Sequence, residues 1–280
     1  MNKKSIAERA QILNLLTEGN SLRATSRIAG CSINTVTKLL VESGEACAWF
    51  QDQALVNLPC KRIQVDEIWS FVYAKQKNVP NGKEGEAGDV WTWTAIDADT
   101  KLVPSWRIGS RDAEIAHDFI CDLASRMANR IQITSDGHRP YIEAIESAFE
   151  QDVDYAILVK LYGDAPEKNQ NYRTDNCIGY HTRNIAGTPE SRHISTSCAE
   201  RQNLTMRMNM RRFTRSTNGF SKKVQNHAHA IALHFMNYNF VRIHKTLKVT
   251  PAMAAGVTET LWDLEKVVEM VDSYWKEKLN

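Results

Sequence analysis

The sequence predicts a mixed α/β core between two helical segments. Between residues 62 and 162, runs of β-branched and aromatic residues at strand spacing alternate with amphipathic helical patterns. The order is three strands, helix, strand, helix, strand. Helical patterns occupy residues 1–45 and dominate after residue 196. The chain has 280 residues, 42% of them hydrophobic, with no apolar run of about 18 residues. We therefore expect a globular chain without a membrane span.

Residues 1–45 have the spacing of a helix-turn-helix domain. A helix over residues 4–18 precedes Ser21, which caps a short helix, and Gly30 makes a turn before Ser32 caps a third helix to about Ser43. The apolar side chains predicted to face inward include Ile28, Ile33, Val36 and Leu40. The third helix would present four polar side chains to a DNA major groove: Ser32, Asn34, Thr35 and Lys38. A plain helical hairpin is the alternative.

Residues 46–61 are predicted to be a linker into the core, which extends over residues 62–245. Its last strand pattern ends near residue 162, and residues 163–195 show little regular pattern. That length exceeds an ordinary connection and predicts an insertion or a mobile loop. Residues 246–280 form a helical tail, whose apolar residues fit either a short coiled-coil seam or packing on the core.

The net charge of +2 conceals a strongly uneven distribution. Residues 201–248 contain ten Lys or Arg and no Asp or Glu, whereas residues 44–200 contain 16 basic and 24 acidic side chains. A long stretch of one sign is typical of a phosphate-binding surface, because solvated faces generally mix both signs. Three arginines of this stretch, Arg211, Arg212 and Arg215, are therefore predicted to bind DNA; arginine contacts phosphate oxygens bidentately.

Three carboxylates lie on or beside apolar elements of the predicted core. Asp66 lies within the first strand, Asp136 follows the fourth strand, and Glu200 opens the basic helix. Such carboxylates need a positive partner to offset desolvation, and Mg²⁺ or Mn²⁺ suits their oxygens. Two such ions about 3.5 to 4 Å apart can carry out phosphoryl transfer. Asp136 before Gly137 could also be a simple turn residue. Glu190 is the alternative to Glu200 as the third carboxylate.

The remaining conspicuous side chains are assigned structural roles. His227, His229 and His234 lack a metal-ligand pattern and are expected on a helix surface. Trp69, Trp91 and Trp93 are expected in the core. The six cysteines are scattered, and the first residues lack the apolar stretch of a secretory signal, so a reduced, cytoplasmic location is expected.

Four motifs follow one another along the chain: VDEIWSFV, ITSDGHRPYIEAIESAF, AERQNLTMRMNMRRFTRSTNGFSK and NYNFVRIHKTLKVTPAMAAG. Together they resemble bacterial insertion-element DDE transposases of the insertion sequence 1 (IS1) type, over most of residues 1–255. The resemblance implies a ribonuclease H-like catalytic core in which Asp66 bridges two metal ions and Asp136 and Glu200 each hold one. It also implies that Asn203 and Arg207 hold DNA beside the metal site, and it leaves the role of His244 open.

The resemblance further implies a DNA transposase. Such an enzyme cleaves DNA at the ends of an insertion element and transfers the freed 3′ hydroxyl into target DNA. Its partners would be double-stranded DNA, namely the terminal inverted repeats and the target, and further copies of the chain in a homodimer or higher oligomer. The location would be the bacterial nucleoid. A ribonuclease H-like nuclease without strand joining and a catalytically silent DNA-binding regulator are the alternatives.

Overall fold

The computed structural model describes residues 3–163, 177–214 and 216–279. Within this part of the chain, no helix is long and apolar enough to cross a membrane. The described residues form a six-stranded mixed sheet with helices on both faces. The mixed α/β fold is thus confirmed.

The sheet has the strand order β3-β2-β1-β4-β5-β6. The strands are β1 (Arg62–Val72), β2 (Gly88–Asp97), β3 (Ser105–Gly109), β4 (Ile131–Ser135), β5 (Val153–Tyr162) and β6 (Cys177–Ala186). The first three strands pair antiparallel, β1, β4 and β5 pair parallel, and β6 pairs antiparallel with β5. Helix α4 (Ala113–Arg126) precedes β4, and α5 (Pro140–Phe149) precedes β5. The predicted order of strands and helices from 62 to 162 is therefore confirmed.

Helices cover the two faces of the sheet because the strands alternate their side chains between them. Ile63, Val65 and Trp93 contribute to a large buried cluster that also includes side chains of α4 and α5. On the other face, Ile68 packs in a second cluster with α6 (Ser197–Asn209) and α7 (Val224–Met236). Trp93 is fully buried as expected, whereas Trp69 and Trp91 are only partly buried.

The N-terminal helices are α1 (Ile6–Thr17), α2 (Leu22–Ile28) and α3 (Ile33–Ala54). The prediction that the third helix ends near Ser43 is wrong, since α3 continues through most of the predicted linker 46–61. The cause is tertiary packing: Gly44 lies so close to α7 that an added Cβ would be 2.4 Å from Cβ of His229. A glycine that suggests a helix end is thus a contact point between two helices.

Residues 177–186 of the predicted irregular segment 163–195 form strand β6, so that prediction is wrong for this part. Residues 164–176 lie outside the described residues. Together, β5 and β6 make a two-stranded ribbon with exposed apolar side chains, including Tyr162, Ile178 and Tyr180. Because β6 occupies the sheet edge, it extends the sheet beyond the predicted strands.

The tail contains α8 (Pro251–Ala254) and α9 (Leu264–Lys278). Helix α9 packs on the N-terminal helices, and Asp272 accepts hydrogen bonds of 2.6 and 2.8 Å from the guanidinium of Arg9. The Trp275 indole donates to the backbone oxygen of Glu42 in α3 at 3.2 Å. Packing on the core, rather than a free coiled-coil seam, therefore accounts for the apolar stripe of the tail.

Candidate active site

Two of the predicted carboxylates lie side by side where β1 and β4 run parallel. The last residue pair of these strands is Gln64 with Thr134. Two residues further along the chain come Asp66, still within β1, and Asp136, directly after the end of β4. Asp136 begins a turn in which its Oδ1 accepts from the backbone N–H of His138 at 2.9 Å. The turn and the catalytic interpretation of Asp136 are thus compatible.

Helix α6 brings the third carboxylate to the same face of the sheet. The side-chain oxygen of buried Gln64 accepts from the backbone N–H groups of Cys198 and Ala199, at 2.7 and 3.2 Å. These groups belong to the unpaired first turn of the helix, so Gln64 caps α6 from β1. One turn further, Nδ2 of Asn203 donates to Oδ2 of Asp66 at 2.8 Å. The helix is therefore tied to β1 at two residues of one strand face.

Glu200 lies between these two contacts and is turned toward β5. Its Oε2 accepts from Nζ of Lys160 at 2.5 Å, and its Oε1 accepts from the hydroxyl of Thr196 at 2.7 Å. The rival Glu190 instead pairs with Arg192 and joins its backbone to Gln132 in the loop before α6. This arrangement favours Glu200 over Glu190 as the third carboxylate.

The carboxylates act on one another electrostatically. Burial, then the charge of Glu67, and to a lesser extent the charges of Asp136 and Glu200, together raise the pKa of Asp66 to about 7. Opposing this, the backbone N–H of Glu67 donates to Oδ1 of Asp66 at 2.8 Å. A carboxyl crowded by like charges is a group that a cation would stabilise.

The donor set fits Mg²⁺ or Mn²⁺, since three carboxylates supply only oxygen ligands. Among the described residues, however, no three His, Cys, Asp or Glu side chains stand close enough together to hold an ion. The Glu200 carboxylate is paired with Lys160 on β5 instead. Holding a metal would require Glu200 to turn from Lys160 toward Asp66.

We expect metal-free protein to lose stability as the pH rises from 4 to 7, because of Asp66. Its folded pKa of about 7 exceeds its usual 3.8, so the native state retains the proton over a range where the unfolded chain releases it. Asp66→Asn should therefore raise the free energy of unfolding at pH 8, by on the order of 1–4 kcal/mol, and by little at pH 4. Thermal unfolding with EDTA at both pH values measures this. An equal melting temperature for both proteins at pH 8 would contradict the raised pKa.

Behind Asp66, on the opposite face of β1, lies a second polar cluster that the sequence analysis missed. The Glu67 carboxylate is buried and accepts from Nε of Arg111 at 2.6 Å and from the hydroxyl of Tyr141 at 2.9 Å. Arg111 also stacks over the ring of Trp91, 4.9 Å from its centre. Burial and then the charge of Asp136 raise the pKa of Glu67. The signal available in the sequence was only an acidic residue at a core position of β1.

The predicted DNA-binding residues of the basic segment have different surroundings. Asn203 is only 6% exposed and contacts Asp66, so it reaches the carboxylate rather than an open surface. Arg207 is half-buried, one turn further along α6. Arg211 is exposed and Arg212 is half-buried in the turn after α6, while Arg215 lies outside the described residues. The prediction that the histidines lie on a helix surface is wrong for His227 and His234, which are buried in α7.

The residues predicted to face a major groove lie at the start of α3. Ser32, Asn34 and Lys38 are exposed and Thr35 is half-buried. Oγ of Ser32 accepts from the backbone N–H of Thr35 at 3.1 Å, so this hydroxyl caps the helix. Val36 and Leu40 are buried as predicted, but Ile28 and Ile33 are 57% and 40% exposed, which corrects their inward assignment.

His244 lies in the turn between α7 and α8, where its backbone N–H donates to Val249 at 2.9 Å. Its Nδ1 is buried and makes no hydrogen bond. Burial lowers the pKa of its imidazole, and the charges of Lys101 and Arg201 lower it further. The neutral ring is therefore favoured.

No family model and no curated protein sequence matches the chain. Among solved structures, a piggyBac transposase in a synaptic complex with hairpin DNA is 10% identical, with a TM-score of 0.45, over 98% of this chain and 72% of that one. A Mos1 transposase in a paired-end complex is 12% identical, with a TM-score of 0.24, over 55% of this chain and 60% of that one. The Mos1 strand transfer complex is 11% identical, with a TM-score of 0.24, over 83% of this chain and 78% of that one. At these identities, function has to be argued from the chain's own site.

Proposed function

We propose that the protein is a metal-dependent DNA transposase that cleaves element ends and joins the freed 3′ hydroxyl to target DNA. The observation that carries the proposal is the placement of Asp66 on β1, Asp136 directly after β4 and Glu200 on α6, where β1 pairs with β4 and α6 is tied to β1 through Gln64 and Asn203. The carboxylate-free basic segment begins directly after Glu200. A site for phosphoryl transfer and a surface for phosphates would thus be adjacent.

The three carboxylates would hold Mg²⁺ or Mn²⁺, which when bound activates an attacking oxygen and stabilises a leaving oxygen in phosphoryl transfer. Asn203 would keep the Asp66 carboxylate oriented through its 2.8 Å hydrogen bond. Lys160, released when Glu200 turns toward Asp66, would place an ammonium group beside the reacting phosphate. In this arrangement β1, β4, β5 and α6 each supply one part of the site.

The domain assignments are part of the same proposal. Residues 1–45 would form the helix-turn-helix DNA-binding domain, residues 62–245 the ribonuclease H-like catalytic domain, and residues 246–280 the helical tail. The exposure of Ser32, Asn34 and Lys38 at the start of α3 supports a role of this helix in the major groove. A homodimer or higher oligomer is proposed because two element ends must be joined. Light scattering with and without end DNA tests the oligomeric state.

A strand-transfer assay distinguishes the three candidate functions. Labelled duplexes carrying the DNA that flanks the gene are incubated with the protein and Mg²⁺, with a plasmid as target. Cleavage and joined products are expected. Cleavage without joining would favour the nuclease, and binding without cleavage would favour the regulator; either result would overturn the transposase proposal.

Replacing Arg207 and Arg211 by Ala is expected to weaken the salt dependence of DNA binding. Each phosphate contact adds about 0.9 to the slope of log affinity against log salt, so the double variant should lose up to about 1.8. Anisotropy titrations between low and moderate salt measure the slope. Replacing Lys77 and Lys276, two exposed lysines in the loop after β1 and in α9, removes the same charge elsewhere. Equal slopes for the two double variants would count against this surface.

A further inference from the structure

A cavity of about 660 Å³ lies between the N-terminal helices and the segment that follows α6. Its walls come from the turn between α1 and α2, the first half of α3, residues 210–212 and 218–222, and one side of α7 from Asn226 to His234. Four cationic side chains line it: Arg23, Arg211, Arg212 and Lys222. No Asp or Glu is among the described residues of the lining. The cavity is therefore electropositive.

Two of the elements beside the cavity are in direct contact. Gly19, in the turn after α1, has a φ of +79°, and an added Cβ would lie 3.3 Å from the backbone oxygens of Met208 and Asn209. The end of α6 thus abuts the turn between α1 and α2. This contact makes the cavity a joint feature of the proposed DNA-reading module and the basic segment.

A buried chain of hydrogen bonds fixes the Arg212 guanidinium at the cavity. Nη1 of Arg212 donates to Oγ of Ser221 at 2.7 Å, and Ser221 lies 2.9 Å from Nδ1 of His227. Nε2 of His227 lies 3.2 Å from Oγ of Ser70, whose own proton goes to the backbone oxygen of Val90 at 3.0 Å. His227 therefore carries its proton on Nε2, and the Ser221 hydroxyl donates to Nδ1.

Within this series of hydrogen-bonded side chains, Arg212 is the one charged group. Burial, and next the Arg212 charge, lower the pKa of His227 to about 3, so the imidazole is neutral. Burial also lowers the pKa of Arg212 to about 10. No ion pair of Arg212 with a carboxylate occurs in the part of the chain that the structure describes. A half-buried guanidinium without a counter-charge has lost part of its hydration, and an entering anion would offset that cost.

We propose that this cavity binds a phosphate group of the DNA backbone. This inference rests on the proposed function and deepens it, because it assigns DNA contacts to Arg23 and Lys222 and a positioning role to His227. Guanidinium donors suit phosphate oxygens. We assign the bound phosphate to DNA rather than to free phosphate, because Ile33, at the start of the proposed reading helix, also lines the cavity. A phosphate held here fixes the register in which α3 meets the bases.

Filling the cavity with a neutral side chain tests the inference. Asn226, on α7, lines the cavity, whereas the neighbouring Gln225 is exposed. Asn226→Trp should reduce the slope of log affinity against log salt by about 0.9 or more, and Gln225→Trp should leave it unchanged. Lys222→Gln is the second variant, should Asn226→Trp fail to fold by circular dichroism; it should also lower the slope by about 0.9.

The outcomes separate this inference from the proposed function. Wild-type protein that binds no DNA would overturn both. Wild-type binding with a steep slope, together with unchanged slopes in Asn226→Trp and Lys222→Gln, would overturn the cavity alone. Titration calorimetry with inorganic phosphate at constant ionic strength checks the source. Suppose that phosphate binds with millimolar or tighter affinity and that Arg212→Gln abolishes this binding. If the same variant leaves the slope of log DNA affinity against log salt unchanged, the cavity would be assigned to free phosphate and the DNA assignment would be overturned.

Discussion

Asp66→Asn is expected to reduce strand cleavage and joining by about a thousandfold or more, while the affinity for end DNA stays unchanged. The asparagine keeps the shape of the side chain and an oxygen that can accept from Asn203. It removes the negative charge that a metal ion requires at the centre of the three carboxylates. Cleavage and binding should therefore separate in this variant, as measured with labelled duplexes and by anisotropy.

Asp118→Asn serves as the matched control for this experiment. Asp118 is an exposed carboxylate on α4, and its replacement should leave both cleavage and binding at the wild-type level. Cleavage by Asp66→Asn at a rate near wild type would refute the metal assignment. A parallel loss of DNA binding would show that Asp66 supports the fold or the DNA surface instead.

Arg111→Met is expected to destabilise the protein by about 3 kcal/mol at pH 8. The change leaves Glu67 as a buried carboxylate without its cation, and breaking a buried ion pair in this way costs about 3–5 kcal/mol. The lower end applies because the Arg111 side chain is 38% exposed. For a chain of this size, the melting temperature should fall by about 6–12 °C. Part of the loss should disappear at pH 5, where Glu67 can take up a proton.

A double-mutant cycle identifies the cause of this loss. Glu67→Gln keeps an oxygen that accepts from Tyr141 and removes the charge, so combining it with Arg111→Met should recover most of the melting temperature. Additive losses in the double variant would show that Arg111 stabilises mainly by packing over Trp91 rather than by pairing with Glu67.

The succession of strands and helices along residues 62–162 was predictable because each element carries its own periodic pattern. Alternating residues in β1 and the helical spacing of α4 are local signals, and both elements formed as predicted. The length of α3 was not predictable, since Ser43 and Gly44 are local signals of a helix end. The contact of Gly44 with His229 is a relation between residues far apart in the sequence, and it outweighs that signal.

In the candidate site, too, local sequence signals were predictable and contacts between distant residues were not. Asp66, Asp136 and Glu200 could be selected because each is a carboxylate beside an apolar pattern. The cap that Gln64 gives α6 and the hydrogen bond from Asn203 to Asp66 could not be predicted, because each depends on α6 crossing β1. The pairing of Lys160 with Glu200 could not be predicted either, because it requires β5 to lie beside α6. These residues hold the site in place from across the fold, and nothing in their own neighbourhood distinguishes them.

Because α3 is one continuous helix, it would act as a rigid spacer of fixed length rather than as a flexible linker. A helix of 22 residues rises about 33 Å, close to one turn of B-form DNA. The proposed reading residues lie at its N-cap and in its first two turns, and the helix ends at Ala54, eight residues before β1 begins at Arg62. A stiff spacer of this kind would set how many base pairs separate the sequence that is read from the bond that is cut. Half a helical turn of extra DNA between them would then present the wrong face of the duplex to the carboxylates.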